Sequence, residues 1–435
     1  MADFWEQTRE FEPKRENDYR TRFQRDYARL IHSAAFRRLQ NKTQILGLGE
    51  SDFYRTRLTH SLEVMQIGEG LVKCLKHTHP GHVGLEYFPP IELIQSICLA
   101  HDIGHPPFGH GGEVALNYCM RTFGGFEGNG QTLRILSRLE KYTENFGLNP
   151  NRRLLLGILK YPAPYSLAVK EEIYGAYSVS ATDFKASEQK PPKCYLDTEH
   201  DVVEWIFAPI SDADKNRFCS LVSSDKNKHC KTQFKSLDTS IMDLADDISY
   251  GVHDLEDGIA LQLISKEEWV RQTETLEGKY KSVCTEITSD LFSSHAYERK
   301  KAIGKLVNIF MTNAIISENN FENNILNYNV KHNVEEKIFL KKLKDIVDEN
   351  VIQNTNVQLL EYKGQIVITT LFRTIFSDPR RFLHNEFKDK FTQSKSDSEQ
   401  ARVVCDYISG MTDPYAAKLY LKITQPGFGS IFERL

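Results

Sequence analysis

The residues best able to do chemistry appear in Leu99-Ala100-His101-Asp102-Ile103-Gly104-His105, where an apolar run closes on an adjacent imidazole and carboxylate. Such a pair suits a borderline-to-hard divalent ion: Mn, Fe, Co or Zn. Two neighbouring ligands do not complete a metal site, so further donors must come from distant sequence. His60, in Arg55-Thr56-Arg57-Leu58-Thr59-His60-Ser61-Leu62, opens an amphipathic run and is one candidate. Asp246, in Ala245-Asp246-Asp247-Ile248-Ser249-Tyr250-Gly251-Val252-His253-Asp254, is another. On a helix Asp246, Tyr250 and Asp254 stand at i, i+4 and i+8 and share a face. Burying two carboxylates and a phenol there is costly without partners, and a metal with a polar ligand supplies them. Asp247 is turned about 100° from Asp246 and ranks second for the same role.

Downstream, HPPFGHGGE holds His105, His110 and Glu113 in one glycine-rich bend stiffened by Pro106 and Pro107. The glycines let the backbone turn tightly, which brings these side chains back toward the His-Asp pair. His110 and Glu113 are spaced i, i+3. A carboxylate against an imidazole fixes its tautomer and raises its basicity, as a general acid/base requires. His77, His79 and His82 in KHTHPGH look like metal ligands, but Pro80 and Gly81 mark a loop and no acidic residue lies among them. A solvated loop is expected there.

The elements that must position these groups are mostly helical. RDYARLIHSAAFRRL repeats apolar residues at 3–4 spacing, as do THSLEVMQIGEGLVKCL, IELIQSICLAHDIG, RRLLLGILKY, SIMDLADDISYGVHDLEDGIALQLI and KAIGKLVNIFMTNAIISE. Two segments are strand candidates: KTQILGLG, as a short hairpin, and YKGQIVITTLF, where Gly364 is the alternative start of a helix. Residues 178 to 199 and 385 to 400 are polar and read as a loop and a poorly ordered segment. The expected fold is mostly α, with at most a small β-hairpin. The ligand candidates span His60 to Asp246, so residues 1–262 are expected to form the core and 263–435 a further helical region.

Composition bounds the setting. The 435 residues carry 55 Lys+Arg against 59 Asp+Glu, a net charge of −4. That balance disfavours a nucleic-acid coat or a polybasic membrane binder. No apolar run approaches the roughly 18–20 residues of a membrane span, and the charged N-terminal stretch lacks a signal-peptide h-region. The eight cysteines form no CxxC pair. They read as buried free thiols, which fits a reducing cytosol.

Taken in order, DYARLIHSAAFRRLQNKTQILGLGESDFYRTRLTHSLEV, LAHDIGHPPFGHGGE, FEGNGQTLRIL, LLGILKYP and DLADDISYGVHDLED resemble the deoxyguanosinetriphosphate triphosphohydrolase family of HD-domain metalloenzymes. The resemblance runs from about residue 18 to 262 and resumes at Tyr407-Ile408-Ser409-Gly410-Met411-Thr412-Asp413. It implies a helical fold and one divalent metal (Mn, Mg, Fe or Co) held by His60, His101, Asp102 and Asp246. It implies hydrolysis of a dNTP, dGTP favoured, to the deoxynucleoside and inorganic triphosphate. His110 supported by Glu113 would assist proton transfer, with His105 a weaker candidate. Gln44, Arg57, Lys160, Tyr161, Tyr250 and Asp254 would contact the nucleotide, Asp254 at the 3′-OH. The resemblance further implies a homo-hexamer and a second dNTP as activator.

Two positions depart from the family pattern. FEGNGQ has Gly130 where the family has Ala, which is expected to loosen the turn. KPPKCYLDTEH replaces an aromatic-rich segment and leaves Lys193 as the candidate for a second phosphate lysine. A rival of another class is a nucleotide-sensing or single-stranded nucleic-acid-binding protein with a weak or regulated HD site. Its cations would be Lys226, Lys228, Lys231 and Lys235, or Arg299-Lys300-Lys301.

Overall fold

The computed structural model describes residues 2–13, 15–44, 55–177, 185–223 and 225–429. The helices used below are α1 (Arg22–His32), α2 (Arg57–Thr78), α3 (Ile91–Ala100), α4 (Gly109–Met120), α5 (Gly128–Arg134), α6 (Leu237–Ala260), α7 (Ala296–Thr312), α8 (Val334–Val347), α9 (Thr355–Ser377), α10 (Asn385–Gln393), α11 (Asp397–Ser409) and α12 (Asp413–Thr424). Among the described residues the sheets are two antiparallel pairs: β1 (Leu221–Val222) with β2 (Lys231–Thr232), and β3 (Ala314–Glu318) with β4 (Tyr328–His332). The fold is mostly α, as the periodicity predicts.

The chain gathers into two compact units, each discontinuous in sequence: Met1–Thr59, Ala100–Lys235 and Leu359–Leu435 in one, His60–Leu99 and Ser236–Gln358 in the other. The core of the first is built by Val114, Leu116 and Tyr118 of α4, Ile368, Leu371 and Ile375 of α9, Val404 and Ile408 of α11, and Leu419 of α12. The strand candidate YKGQIVITTLF is the interior of α9. Its buried residues Val367, Ile368, Leu371, Phe372 and Ile375 fall at helical spacing, and packing that stripe outweighs the weak strand preference of its β-branched residues. Residues 385 to 393, expected to be poorly ordered, form α10. Phe387 and Phe391, one turn apart, lay a narrow apolar stripe on the core of this unit.

In the second unit α6 packs against α8, α7 and β4. KAIGKLVNIFMTNAIISE divides: its helix stops at Thr312, and Ala314–Glu318 pairs with β4 in the register Ala314↔His332 to Glu318↔Tyr328. Val64, Ile67, Leu71, Val72 and Leu75 of α2 are wholly buried at i, i+3 and i+4 steps. Gly68 sits on the same stripe. A β-carbon there would fall 2.6 Å from Cys98 Sγ of α3, with the Ala245 β-carbon of α6 at 3.7 Å. The glycine thus lets α2, which carries His60, pack closely on α3, while its contact with α6 is an ordinary one.

The predicted hairpin in KTQILGLG lies mostly outside the described residues; Thr43 pairs with Thr56 in an isolated antiparallel bridge. Of the 178–199 stretch, 185–199 is described, and Cys194, Tyr195 and Leu196 are buried in it.

Candidate active site

In the first unit His101 and Asp102 directly follow α3 and are both buried. The turn after them is locked by Gly104, whose N–H donates to the Thr132 hydroxyl at 3.1 Å. A β-carbon at Gly104 would lie 2.1 Å from the Gly128 carbonyl and 2.3 Å from Thr132 N, so only glycine fits against α5. Arg57 Nη1 donates to Asp102 Oδ2 at 2.6 Å. His101 Nε2 lies 3.6 Å and His105 Nδ1 3.0 Å from Asp102 Oδ1. Burial alone would raise the Asp102 pKa, but its interactions with His105, which include a hydrogen bond, with the Arg57 cation and with His101 outweigh it and hold the carboxyl well below its usual range. Burial and the Arg57 cation push His105 down to about 4, so its imidazole is neutral at physiological pH.

The bend 105–113 also brings His105, His110 and Glu113 together, with their ligand atoms within 4.8 Å of one another. Glu113 is buried while the His110 side chain is 71% exposed. His110 Nδ1 is 3.3 Å from Glu113 Oε2, and Glu113 Oε1 accepts the Gly128 N–H at 2.8 Å. Burial opposes the Glu113 charge, but Lys193, His110 and His105 hold the carboxyl well below its usual range. Lys193 Nζ reaches Glu127 Oε1 at 3.0 Å and Glu113 Oε1 at 3.9 Å. Glu127 also caps α5 through the Gly130 N–H at 2.9 Å. A β-carbon on Gly130 would sit 3.1 Å from Leu196 N, so this turn is tight rather than loosened.

In the second unit His60 is 1% exposed, one turn into α2. Its Nε2 lies 3.1 Å from Asp246 Oδ1, and its Nδ1 faces the Ser249 hydroxyl at 3.4 Å. Asp247 is turned away and ion-paired with Lys344. Lys344 also lies 5.5 Å over the Tyr250 ring. Burial, reinforced by Asp254 and neighbouring carboxylates, pushes the Tyr250 hydroxyl up. Asp254 is buried one turn further on. Two donors each about 2.0–2.2 Å from one divalent ion stand roughly 2.8–3.6 Å apart, from right-angled to tetrahedral placement. The His60–Asp246 separation of 3.1 Å and the His101–Asp102 separation of 3.6 Å are of that size, and the nitrogen and oxygen donors suit such an ion.

Residues 57–159 match the HD domain and residues 328–422 match a phosphohydrolase-associated domain. A deoxyguanosinetriphosphate triphosphohydrolase-like protein of Shewanella baltica (strain OS185) is 48% identical over 447 residues, covering 99% of this chain and 98% of the relative. Proteins of the same description from Shewanella woodyi and Shewanella pealeana are 48% and 49% identical, covering 100% and 96% of this chain and 99% and 95% of the relatives. The chain belongs to the deoxyguanosinetriphosphate triphosphohydrolase family of HD-domain proteins. It is an HD-type phosphohydrolase, and the HD domain is a metal-dependent phosphohydrolase fold.

The remaining expected residues of this triphosphohydrolase relative fall as follows. Arg57 is buried on Asp102. Gln44 is half-buried, and its Oε1 meets no partner among the described residues. Lys160 and Tyr161 are half-buried just after the helix Arg152–Ile158, and Tyr161 is among the groups favouring the Lys193 charge. In the KHTHPGH segment His82 Nδ1 accepts the Gly84 N–H at 3.0 Å and His79 faces the Thr78 hydroxyl, so both serve local turns. Glu127 carries no signal of this role in the sequence beyond its place in FEGNGQ, part of the family resemblance. In the first unit, a cavity of about 820 Å³ is lined by Arg15, Arg25, Arg37, Arg38, Lys42 and Tyr407 among others.

Proposed function

We propose that this protein hydrolyses dNTPs, dGTP preferred, to the deoxynucleoside and inorganic triphosphate. The observation that carries this reading is the solvent-facing His110 backed by a buried, ionised Glu113, in the bend that follows the His101-Asp102 pair. His60, His101, Asp102 and Asp246 would hold one divalent ion, Mn, Mg, Fe or Co. When bound, it supplies Lewis-acid neutralisation of the phosphate charge and a water nucleophile near neutral pH. The chain's residues do the rest. A water oxygen bonds to the α-phosphorus and the bond from that phosphorus to O5′ breaks. His110 gives O5′ the proton without which it leaves as an alkoxide. Glu113 keeps that imidazole oriented, and His105, neutral at physiological pH, is the weaker donor. Lys160, Tyr161 and Lys193 meet the triphosphate, Gln44 and Arg57 the nucleotide, and Tyr250 and Asp254 the sugar.

Anion-exchange analysis of products from each dNTP with Mn or Mg tests the reading. Triphosphate without mono- or diphosphate is expected. Release of pyrophosphate, or no turnover of any dNTP, would overturn it, and a ribonucleotide used equally well would remove the sugar contact.

The cationic cavity supports a second dNTP as activator, and it is the feature that favours the rival reading of a nucleotide-sensing or single-stranded nucleic-acid-binding HD protein. Testing dNTPs in pairs, and salt-sensitive binding of single-stranded DNA, separates the two. The proposal also takes from the resemblance a cytoplasmic homo-hexamer, with residues 263–435 supplying oligomer and substrate-pocket contacts. No helix among the described residues is long and apolar enough to cross a membrane.

A further inference from the structure

Phe108 sits between His105 and His110, immediately before α4, with φ 62° and ψ 28°. This is the left-handed region, which a residue with a β-carbon rarely adopts unless its surroundings impose it. Here the surroundings are visible. Asp413, the first residue of α12 and 5% exposed, accepts the Phe108 N–H on Oδ1 at 3.0 Å. Its Oδ2 accepts the Thr43 N–H at 2.9 Å and also the Thr43 hydroxyl. Next to Thr43, Lys42 is 2% exposed, and its Nζ donates to the His105 carbonyl at 2.6 Å and the Ser409 carbonyl at 2.9 Å. On the other side Gly364 of α9 makes room for the Phe108 side chain: a β-carbon there would lie 2.5 Å from the Phe108 β-carbon.

We propose that Asp413 and Lys42 are positioning residues that clamp the His105–Phe108 turn from behind and so aim His110. Neither touches the reacting atoms. A buried carboxylate and ammonium are expensive to retain without full satisfaction. Between them, these two satisfy two N–H groups, one hydroxyl and two carbonyls of the segments that meet at the turn. The Ser-Gly-Met-Thr-Asp stretch at 409–413 therefore serves the candidate catalytic bend from the far end of the chain. The inference rests on His110 as the proton donor.

A double-mutant cycle with Phe108→Gly tests the clamp, because glycine takes the left-handed conformation without a side-chain penalty. Asp413→Ala is expected to keep the wild-type metal content, to lower kcat at least tenfold and to change KM little. In the Phe108→Gly background the same substitution should cost several-fold less. Equal losses in both backgrounds, or a wild-type kcat in Asp413→Ala, would overturn the proposal. Hydrogen exchange gives a readout independent of any hydrolysis. The amides of His105 and of residues 108–112 should exchange faster in Asp413→Ala, and in Asp413→Asn if the alanine variant does not fold, while those of α6 are unchanged. Unchanged exchange at His105 and 108–112 would sink the clamp even if the triphosphohydrolase reading held. Faster exchange without dNTP turnover would leave the clamp standing and sink only that reading.

Discussion

In the proposed mechanism His110 and Glu113 divide one task. The imidazole is exposed and free to reach a substrate oxygen, while the carboxylate is buried, ionised and held by the Gly128 N–H. His110→Ala should therefore keep the metal and lose turnover by about 10²–10⁴-fold, the usual scale of positioned proton transfer. Metal analysis alongside kcat checks it, and near-normal turnover would remove His110 from the mechanism. The paired carboxylates of α6 make a second comparison. Asp246 faces His60 at 3.1 Å, whereas Asp247 is half-exposed and bound to Lys344. Asp247→Ala breaks a partly solvated ion pair worth about 0–1 kcal/mol, with metal content close to wild type. Asp246→Ala should lose metal and activity together; the reverse order would mean that the other carboxylate is the ligand. The i, i+4, i+8 spacing made this face of α6 legible in the sequence. Glu127 and Asp413 were not legible as site supports, because their roles arise from hydrogen bonds to backbone far away in sequence or hidden inside a turn.

At the scale of elements, glycines decide how closely the helices that carry these groups approach. Gly104→Ala would put a β-carbon 2.1 Å from the Gly128 carbonyl and 2.3 Å from Thr132 N, both backbone atoms that cannot swing aside. A loss of about 1–3 kcal/mol or more is expected, read as a lower Tm, with activity reduced through the displaced His-Asp pair. Gly304, inside α7 with open space around it, is the contrast. Gly304→Ala should gain about 0.5–1 kcal/mol, and a Gly104→Ala variant as stable as that one would refute the close-approach argument. Helix type was readable wherever burial repeated every three to four residues, as in α2 and α6. In α9 the β-branched run of residues 366–370 suggested a strand, although the buried positions already fell on one helical stripe. In α10 two phenylalanines one turn apart were outnumbered by polar residues that simply face water. Both cases show tertiary packing overriding a local average.

For the whole molecule, the proposed ligands come from three separate stretches of sequence, around residues 60, 101 and 246. The two compact units are likewise assembled from interleaved segments, which no local periodicity announces. If His60, His101, Asp102 and Asp246 hold one ion, binding it stabilises only the folded chain, because the unfolded chain does not keep those donors together. The gain follows RT ln(1 + [M]/Kd), about 2.7 kcal/mol when the free metal is 100-fold above its Kd. Chelation should therefore lower the Tm of the wild-type protein by a few degrees, and Mn added back should restore it. Because stabilisation grows with the logarithm of metal concentration, a titration distinguishes a specific site from a general salt effect. His101→Ala and Asp246→Ala should each flatten that titration, although the two residues lie far apart in sequence. If Asp246→Ala kept the full wild-type response while His101→Ala lost it, the four residues would not share one ion and the carboxylate on α6 would need another role. His110→Ala, which removes no proposed ligand, should respond like the wild type. It thereby separates loss of the metal from loss of the proton donor, a distinction that turnover alone does not make.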